Sequence, residues 1–175
     1  MLRILAVIDM QKDFIDGSLG TPEAAAITAP LASFAANWEG PVIFTRDTHG
    51  ADYLNTQEGR RLPVPHCLKD SEGWQLADPL EEVRRSRNCP VFDKETFGSR
   101  SLGEYLALQN ELWGVEEVVL TGVCTDICVI SNALLIKAFL PETTVSVISS
   151  LCAGVTPQSH GVALEAMKAC QIDVR

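Results

Sequence analysis

The stretch EEVVLTGVCTDICVISNALLIKAF, Glu116 to Phe139, changes its hydrophobic period midway. "EEVVLT" runs on apolar residues after its two acids, as a strand buried on both faces does, whereas "VISNALLIKAF" spaces its apolar residues along one face of a helix. Between them, Gly122 to Cys128 forms the strand-to-helix turn and carries two thiols four residues apart. On either side the same alternation recurs. Strands are expected at "RILAVID", "PVIFTRD", "CPVFDK", "EEVVLTG" and "TVSVISS", with a short last strand at "IDVR". Helices are expected at "PLASFAANW", at "DPLEEVRR" with Asp78 as N-cap and Pro79 in the first turn, at "SRSLGEYLALQNELWG" closed by Gly114, at "TDICVISNALLIKAF" and at "PQSHGVALEAMKAC". Apolar strands separated by helices imply an α/β fold: one domain over residues 1–175, with a mostly parallel sheet of about six strands covered by helices on both faces.

At 175 residues the chain is long enough to bury one core, and its 46% apolar composition is that of a globular protein. The formal net charge of −9, with no cluster of Lys and Arg to interrupt it, argues against nucleic acid or an anionic membrane as partner. "MLRILAVIDM" reads as a first strand and not as a signal peptide, since its apolar run meets Asp9 and no small-residue cleavage site follows. No apolar run approaches the roughly 18 residues of a membrane span. A cytoplasmic protein with six reduced cysteines is the expectation.

In an open parallel sheet, ligands bind beyond the carboxyl ends of the strands. Asp9 ends the first strand, Asp47 and His49 follow the second, Lys94 ends the third, and the Cys124 to Cys128 turn follows the fourth. If Thr125 or Asp126 caps the helix, Cys128 lies in its first turn, where free N–H groups and the positive end of the dipole favour a thiolate. The bland alternative is that both thiols are small buried hydrophobes. Asp9 is a suitable base for a Cys128 nucleophile, and Lys94 a cation able to lower the thiol pKa and hold the carboxylate.

Three segments carry a resemblance. "AVIDMQKDF", "FDKETFGS" and "GVCTDICV" resemble the signature segments of the isochorismatase-like cysteine hydrolases, which include nicotinamidases. The resemblance implies Asp9 as general base and acid, Lys94 as supporting cation and Cys128 as nucleophile. It further implies a cis peptide between Val123 and Cys124 beside the oxyanion site, Cys124 in place of a small residue, and Phe14 lining the pocket.

"TRDTHGADYLNTQEGRRLPVPHC" places Asp47 and His49 on one short turn, with Glu58 and His66 further along an irregular stretch from Gly50 to Trp74. An Asp, two His and a Glu can bind a divalent ion such as Zn, Fe or Mn, although loops often contain these residues without one. The resemblance to nicotinamidases implies Asp47, His49 and His66 as ligands with Glu58 as the available fourth group, and Asp52 as its competitor. The family's Trp before the "PHC" segment is absent here. Trp74 and Phe97 are alternatives for an aromatic wall, and His160 is expected to face solvent or cap the last helix.

The expected activity is that of a metal-dependent cysteine amidohydrolase on a small amide, nicotinamide first. Another amide, a carbamoyl compound or isochorismate is the alternative within the family, and a non-catalytic binding protein the alternative outside it. From the resemblance alone, a homodimer or homotetramer is expected.

Overall fold

The computed structural model describes residues 1–175. Its elements, in chain order, are β1 (Leu2–Ile8), α1 (Lys12–Ile15), α2 (Pro22–Ala36), β2 (Val42–Asp47), α3 (Gln57–Arg61), α4 (Asp78–Ser86), β3 (Val91–Lys94), α5 (Arg100–Trp113), β4 (Val115–Val123), α6 (Ile130–Phe139), β5 (Thr144–Ala153), α7 (Pro157–Ala169) and β6 (Asp173–Val174). The six strands form one sheet in the order β3-β2-β1-β4-β5-β6, and every pair is parallel.

Strand periodicity sends alternate residues to opposite faces. Leu5 and Val7 of β1 join Phe44, Val119, Leu31, Ala35 and Leu80 in a core under α1, α2 and α4. Ile4, Ala6 and Ile8 join Ile43, Val118, Leu120, Leu102, Leu106, Ala133 and Met167 in a second core under α5, α6 and α7. The sheet is thus covered on both faces, as its unbroken apolar strands imply. The chain builds β1, β2 and β3 in one direction and then returns to place β4 on the other side of β1. This reversal opens a crevice at the carboxyl ends of β1 and β4, where Asp9 and the Cys124–Cys128 turn lie. At its floor Gly122 has φ 109°, and a Cβ there would collide with the carbonyl oxygen of Ile8, so only glycine lets the two strand ends approach.

Several local expectations need correction. The second helix begins at Pro22, eight residues before the expected "PLASFAANW", because Thr21 caps it by accepting from the Ala24 N–H at 3.1 Å; Pro30, which reads as a helix start, lies inside. α1 and α3 were not expected. Ala77, not Asp78, flanks α4, and the Asp78 carboxylate instead pairs with Lys12 at 3.0 Å. Neither Thr125 nor Asp126 caps the helix after β4. Cys124 is the flanking residue, and a single wide turn, Thr125–Val129, precedes α6. The Thr125 hydroxyl is 2.8 Å from His160 Nδ1, and Asp126 accepts from the Val155 N–H at 3.0 Å. His160 therefore packs on the cysteine turn and does not merely face solvent.

Candidate active site

Asp9 leaves β1 with φ 47°. It is fully buried. Thr45 Oγ1 donates to Asp9 Oδ1 at 2.6 Å and accepts from the Asp9 N–H at 3.2 Å, so one hydroxyl on β2 fixes the residue at both ends. Lys94, the last residue of β3, places Nζ 2.6 Å from Asp9 Oδ2 and 3.4 Å from Cys128 Sγ. The Asp9 Oδ2 contact is an ion pair between two buried side chains. Asp9, Lys94 and Cys128 are thus brought together, from three strand ends, in a buried cluster.

Burial is the largest influence on each of the three. It raises Asp9, against the opposing pull of the Lys94 ammonium. Lys94 is raised even though burial disfavours its charge, because the Asp9 and Asp47 carboxylates outweigh the loss of water. Burial and the Asp9 charge lift the Cys128 thiol well above its ordinary value, more than Lys94 lowers it. The helix start alone favours a thiolate, but burial and the Asp9 charge act the other way and raise the Cys128 thiol beside the Asp9–Lys94 pair. Cys124, pushed up to about 12 by burial and the Asp126 charge, is no thiolate either.

The Val123–Cys124 peptide is cis. The Cys124 N–H donates to no backbone carbonyl, while the Cys124 carbonyl accepts from Ile127 and Val129 to close the turn that carries Cys128.

Asp47 and His49 at the end of β2, Glu58 on α3 and His66 in the following loop bring one ligand atom each to within 4.8 Å of one another. Asp47 Oδ2 lies 2.9 Å from His49 Nε2 and 3.4 Å from His66 Nε2, and Glu58 Oε1 lies 3.7 Å from each imidazole. Ligands bound at about 2.1 Å around a tetrahedral ion stand roughly 3.4 Å apart, so the spacing fits. The His66 Nδ1–H donates to the Val64 carbonyl at 2.8 Å, which aims the Nε2 lone pair at the other three groups. The tyrosine ring of Tyr53, buried, packs 4.7 Å from His49 and 5.0 Å from His66. Two imidazoles and two carboxylates suit Zn, Fe or Mn. Glu58 joins the group; Asp52, its competitor, does not. Lys94 Nζ lies 3.4 Å from Asp47 Oδ1, so one ammonium touches both clusters.

Phe14 sits beside the ligand loop, its ring 5.6 Å from that of His66. Trp74 lies under the Arg46 guanidinium, 3.6 Å away, and its indole N–H donates to Thr48 at 2.8 Å, so it braces the end of β2. Phe97 is 45% exposed.

Other residues escaped the sequence reading. Gln11 donates to the Asp47 carbonyl at 2.8 Å and accepts from the Asp47 N–H at 2.7 Å, while Asp13 accepts from the Cys67 N–H at 2.7 Å. Both lie inside "AVIDMQKDF", so one short segment supplies Asp9 and two clamps on the ligand loops. Thr45 and Tyr53 carry no comparable signal, since a strand Thr and a loop Tyr are ordinary.

A six-stranded parallel sheet with reactive side chains at its switch point defines an α/β enzyme-like class. Within it, the isochorismatase domain model matches residues 3–175, and the chain belongs to that family. It is 28% identical to the nicotinamidase/pyrazinamidase of Mycobacterium tuberculosis, covering 99% of this chain and 98% of that one. The crystal structure of a Bacillus subtilis nicotinamidase/pyrazinamidase superposes with a TM-score of 0.83 at 25% identity, covering 99% of each chain. The fold is also that of the Pyrococcus horikoshii pyrazinamidase solved in complex with zinc, with a TM-score of 0.78 at 24% identity and coverage of 100% and 99%.

Proposed function

We propose that this protein is a metal-dependent cysteine amidohydrolase that converts nicotinamide and water to nicotinate and ammonia. The observation that carries the reading is the Lys94 ammonium, 2.6 Å from Asp9 and 3.4 Å from Cys128. The nicotinamidase relatives support the choice of amide. Asp9, buried and raised in pKa, takes the thiol proton as the sulfur attacks the carboxamide carbon. Lys94 keeps a positive charge beside the sulfur as negative charge passes to it. The N–H groups of Cys124 and Cys128 receive the oxyanion. Asp9 then gives the proton to departing ammonia, leaving a thioester on Cys128, next removes a proton from the water whose attack breaks the carbon–sulfur bond and releases nicotinate, and returns that proton to the expelled sulfur.

Asp47, His49, Glu58 and His66 would hold a divalent ion, which when bound supplies a Lewis-acidic position for the pyridine nitrogen. Phe14, packed on His66, lines the same side. No helix is long and apolar enough to cross a membrane. The reading extends to a cytoplasmic homodimer or homotetramer with a small amide as its partner.

The test is ammonia release from the metal-loaded protein given nicotinamide, other amides, a carbamoyl compound and isochorismate in parallel. Fastest release from nicotinamide is expected. Consumption of isochorismate with no ammonia from any amide would overturn the assignment, and no turnover of any member would favour a binding protein.

A further inference from the structure

Lys94 and Cys128 must stay within reach of each other, yet no sheet hydrogen bond links them. β3 and β4 are separated by β2 and β1. Three strand spacings amount to about 14 Å, more than a lysine side chain spans, so the pair meets only because the turn after β4 carries Cys128 back towards Lys94. Small shifts of α6 against the loop after β3 would change the distance between ammonium and sulfur.

Asn132 is placed to prevent them. It lies one helical turn beyond Cys128 and is fully buried. Its amide nitrogen donates to the Cys128 carbonyl at 2.8 Å and to the Phe97 carbonyl at 3.0 Å, and its amide oxygen accepts from the Ser99 N–H at 2.8 Å. Both N–H donors and the acceptor are used. One partner is the nucleophile's own backbone. The other two belong to the five-residue loop, Glu95 to Ser99, that starts at Lys94 and ends at the cap of α5, where Ser99 Oγ accepts from the Leu102 N–H at 3.2 Å. The loop rides close on α6: a Cβ on Gly98 would come within 3.3 Å of Leu135 and 3.4 Å of the Ser131 carbonyl.

We propose that Asn132 is a positioning residue that sets the Lys94 to Cys128 distance by tying the start of α6 to the β3–α5 loop. A purely packing role would not need three directed bonds to these backbone groups, because an apolar side chain would fill the same space without the cost of burying an amide. The inference rests on Cys128 being the nucleophile, but not on nicotinamide being the substrate.

The experiment compares metal-loaded wild type with Asn132→Asp, which keeps the shape and the acceptor for Ser99 but loses both donors, and with Asn132→Ala. Folding is checked by circular dichroism and thermal melting. Two readouts follow: kcat and KM for nicotinamide hydrolysis, and the rate at which iodoacetamide alkylates Cys128 at alkaline pH, followed by mass spectrometry. In folded Asn132→Asp, kcat is expected to fall about tenfold or more with KM changed less than about threefold, as misplacement of a reacting group produces. The Cys128 alkylation rate is expected to change by more than about threefold, while Cys170 labels as before. A folded variant with unchanged kcat and unchanged Cys128 alkylation overturns the proposal. So does unfolding of both variants, which would make Asn132 a residue of the fold. If wild type hydrolyses no nicotinamide, the alkylation readout alone decides, so failure of the substrate assignment is seen separately.

Discussion

The ammonium of Lys94 stands 3.4 Å from the sulfur of Cys128, although the two residues lie 34 positions apart and leave the sheet on strands that are not neighbours. The same ammonium is 2.6 Å from Asp9 and 3.4 Å from Asp47, and its side chain is only 2% exposed. A cation so placed holds two buried carboxylates. Removing it leaves charge uncompensated. Lys94→Met is therefore expected to cost about 3–5 kcal/mol of stability in urea unfolding, besides abolishing turnover. Unchanged stability would show that Asp9 does not depend on this partner.

Cys128→Ala is expected to abolish ammonia release while circular dichroism and the melting temperature stay near those of the parent, since the change removes one sulfur from a small buried side chain. Cys124→Ala is expected to keep activity within about fivefold, because the proposed mechanism uses the Cys124 backbone N–H and not its thiol. Retained turnover in the first variant, or loss equal to it in the second, would exchange or remove the assigned roles.

The raised thiol pKa of Cys128 gives a direction for its pH dependence. The neutral thiol dominates at and below the ordinary value of 9.0, and thiolate accumulates only as the pH climbs beyond it. In the absence of substrate, iodoacetamide is expected to label buried Cys128 more slowly than exposed Cys170 at neutral pH and to gain on it as the solution becomes alkaline. This reverses the order that the helix start alone suggests. Fastest labelling of Cys128 at neutral pH would restore the resting thiolate.

The ligand cluster predicts about one equivalent of divalent ion in the purified protein, measured by elemental analysis. His66→Ala and Glu58→Gln are each expected to weaken retention by more than the roughly 10–100-fold typical of residues that only support ligands. Chelation should stop nicotinamide hydrolysis and added metal restore it. Full activity after exhaustive chelation would remove the ion from the reaction.

Glu117 offers a test away from the site. Burial raises its pKa, but Ser146 at 2.6 Å, Arg3 at 2.8 Å and Arg175 at 2.6 Å together bring it below the usual 4.5. A carboxylate with a depressed folded pKa contributes stability that is present above its unfolded value and lost as the pH falls through its folded value. Glu117→Gln is expected to cost about 1–3 kcal/mol at neutral pH, and the difference from wild type should shrink as the pH drops below the unfolded value. A difference constant across that range would mean the carboxylate charge plays no part.

Much of the fold was legible because its signals are local. Apolar strands, Gly114 at the end of α5 and Pro157 at the start of α7 act within a few residues of themselves. The helix boundaries that went astray depend on a choice between competing local partners: Pro30 is compatible with a first turn, but the Thr21 cap starts the helix earlier, and Asp78 prefers Lys12 to its own helix. His160 shows the same limit. Its ring reaches Thr125 only because β5 ends beside β4, which no spacing in the sequence reports.

Sequence by itself determined the alternation of strand and helix, the residues at each strand end and the family, since periodicity and short motifs are properties of neighbouring residues. Tertiary structure alone decided that Lys94 reaches Asp9, Cys128 and Asp47 at once, that Thr45, Gln11, Tyr53 and Asn132 contact Asp9, Asp47, the two imidazoles and the Cys128 backbone, and that burial pushes the Cys128 thiol up. Those outcomes depend on burial and on distances between segments far apart in the chain. Removal of water and the sum of nearby charges set the protonation of a side chain, and both exist only after the sheet has closed around it.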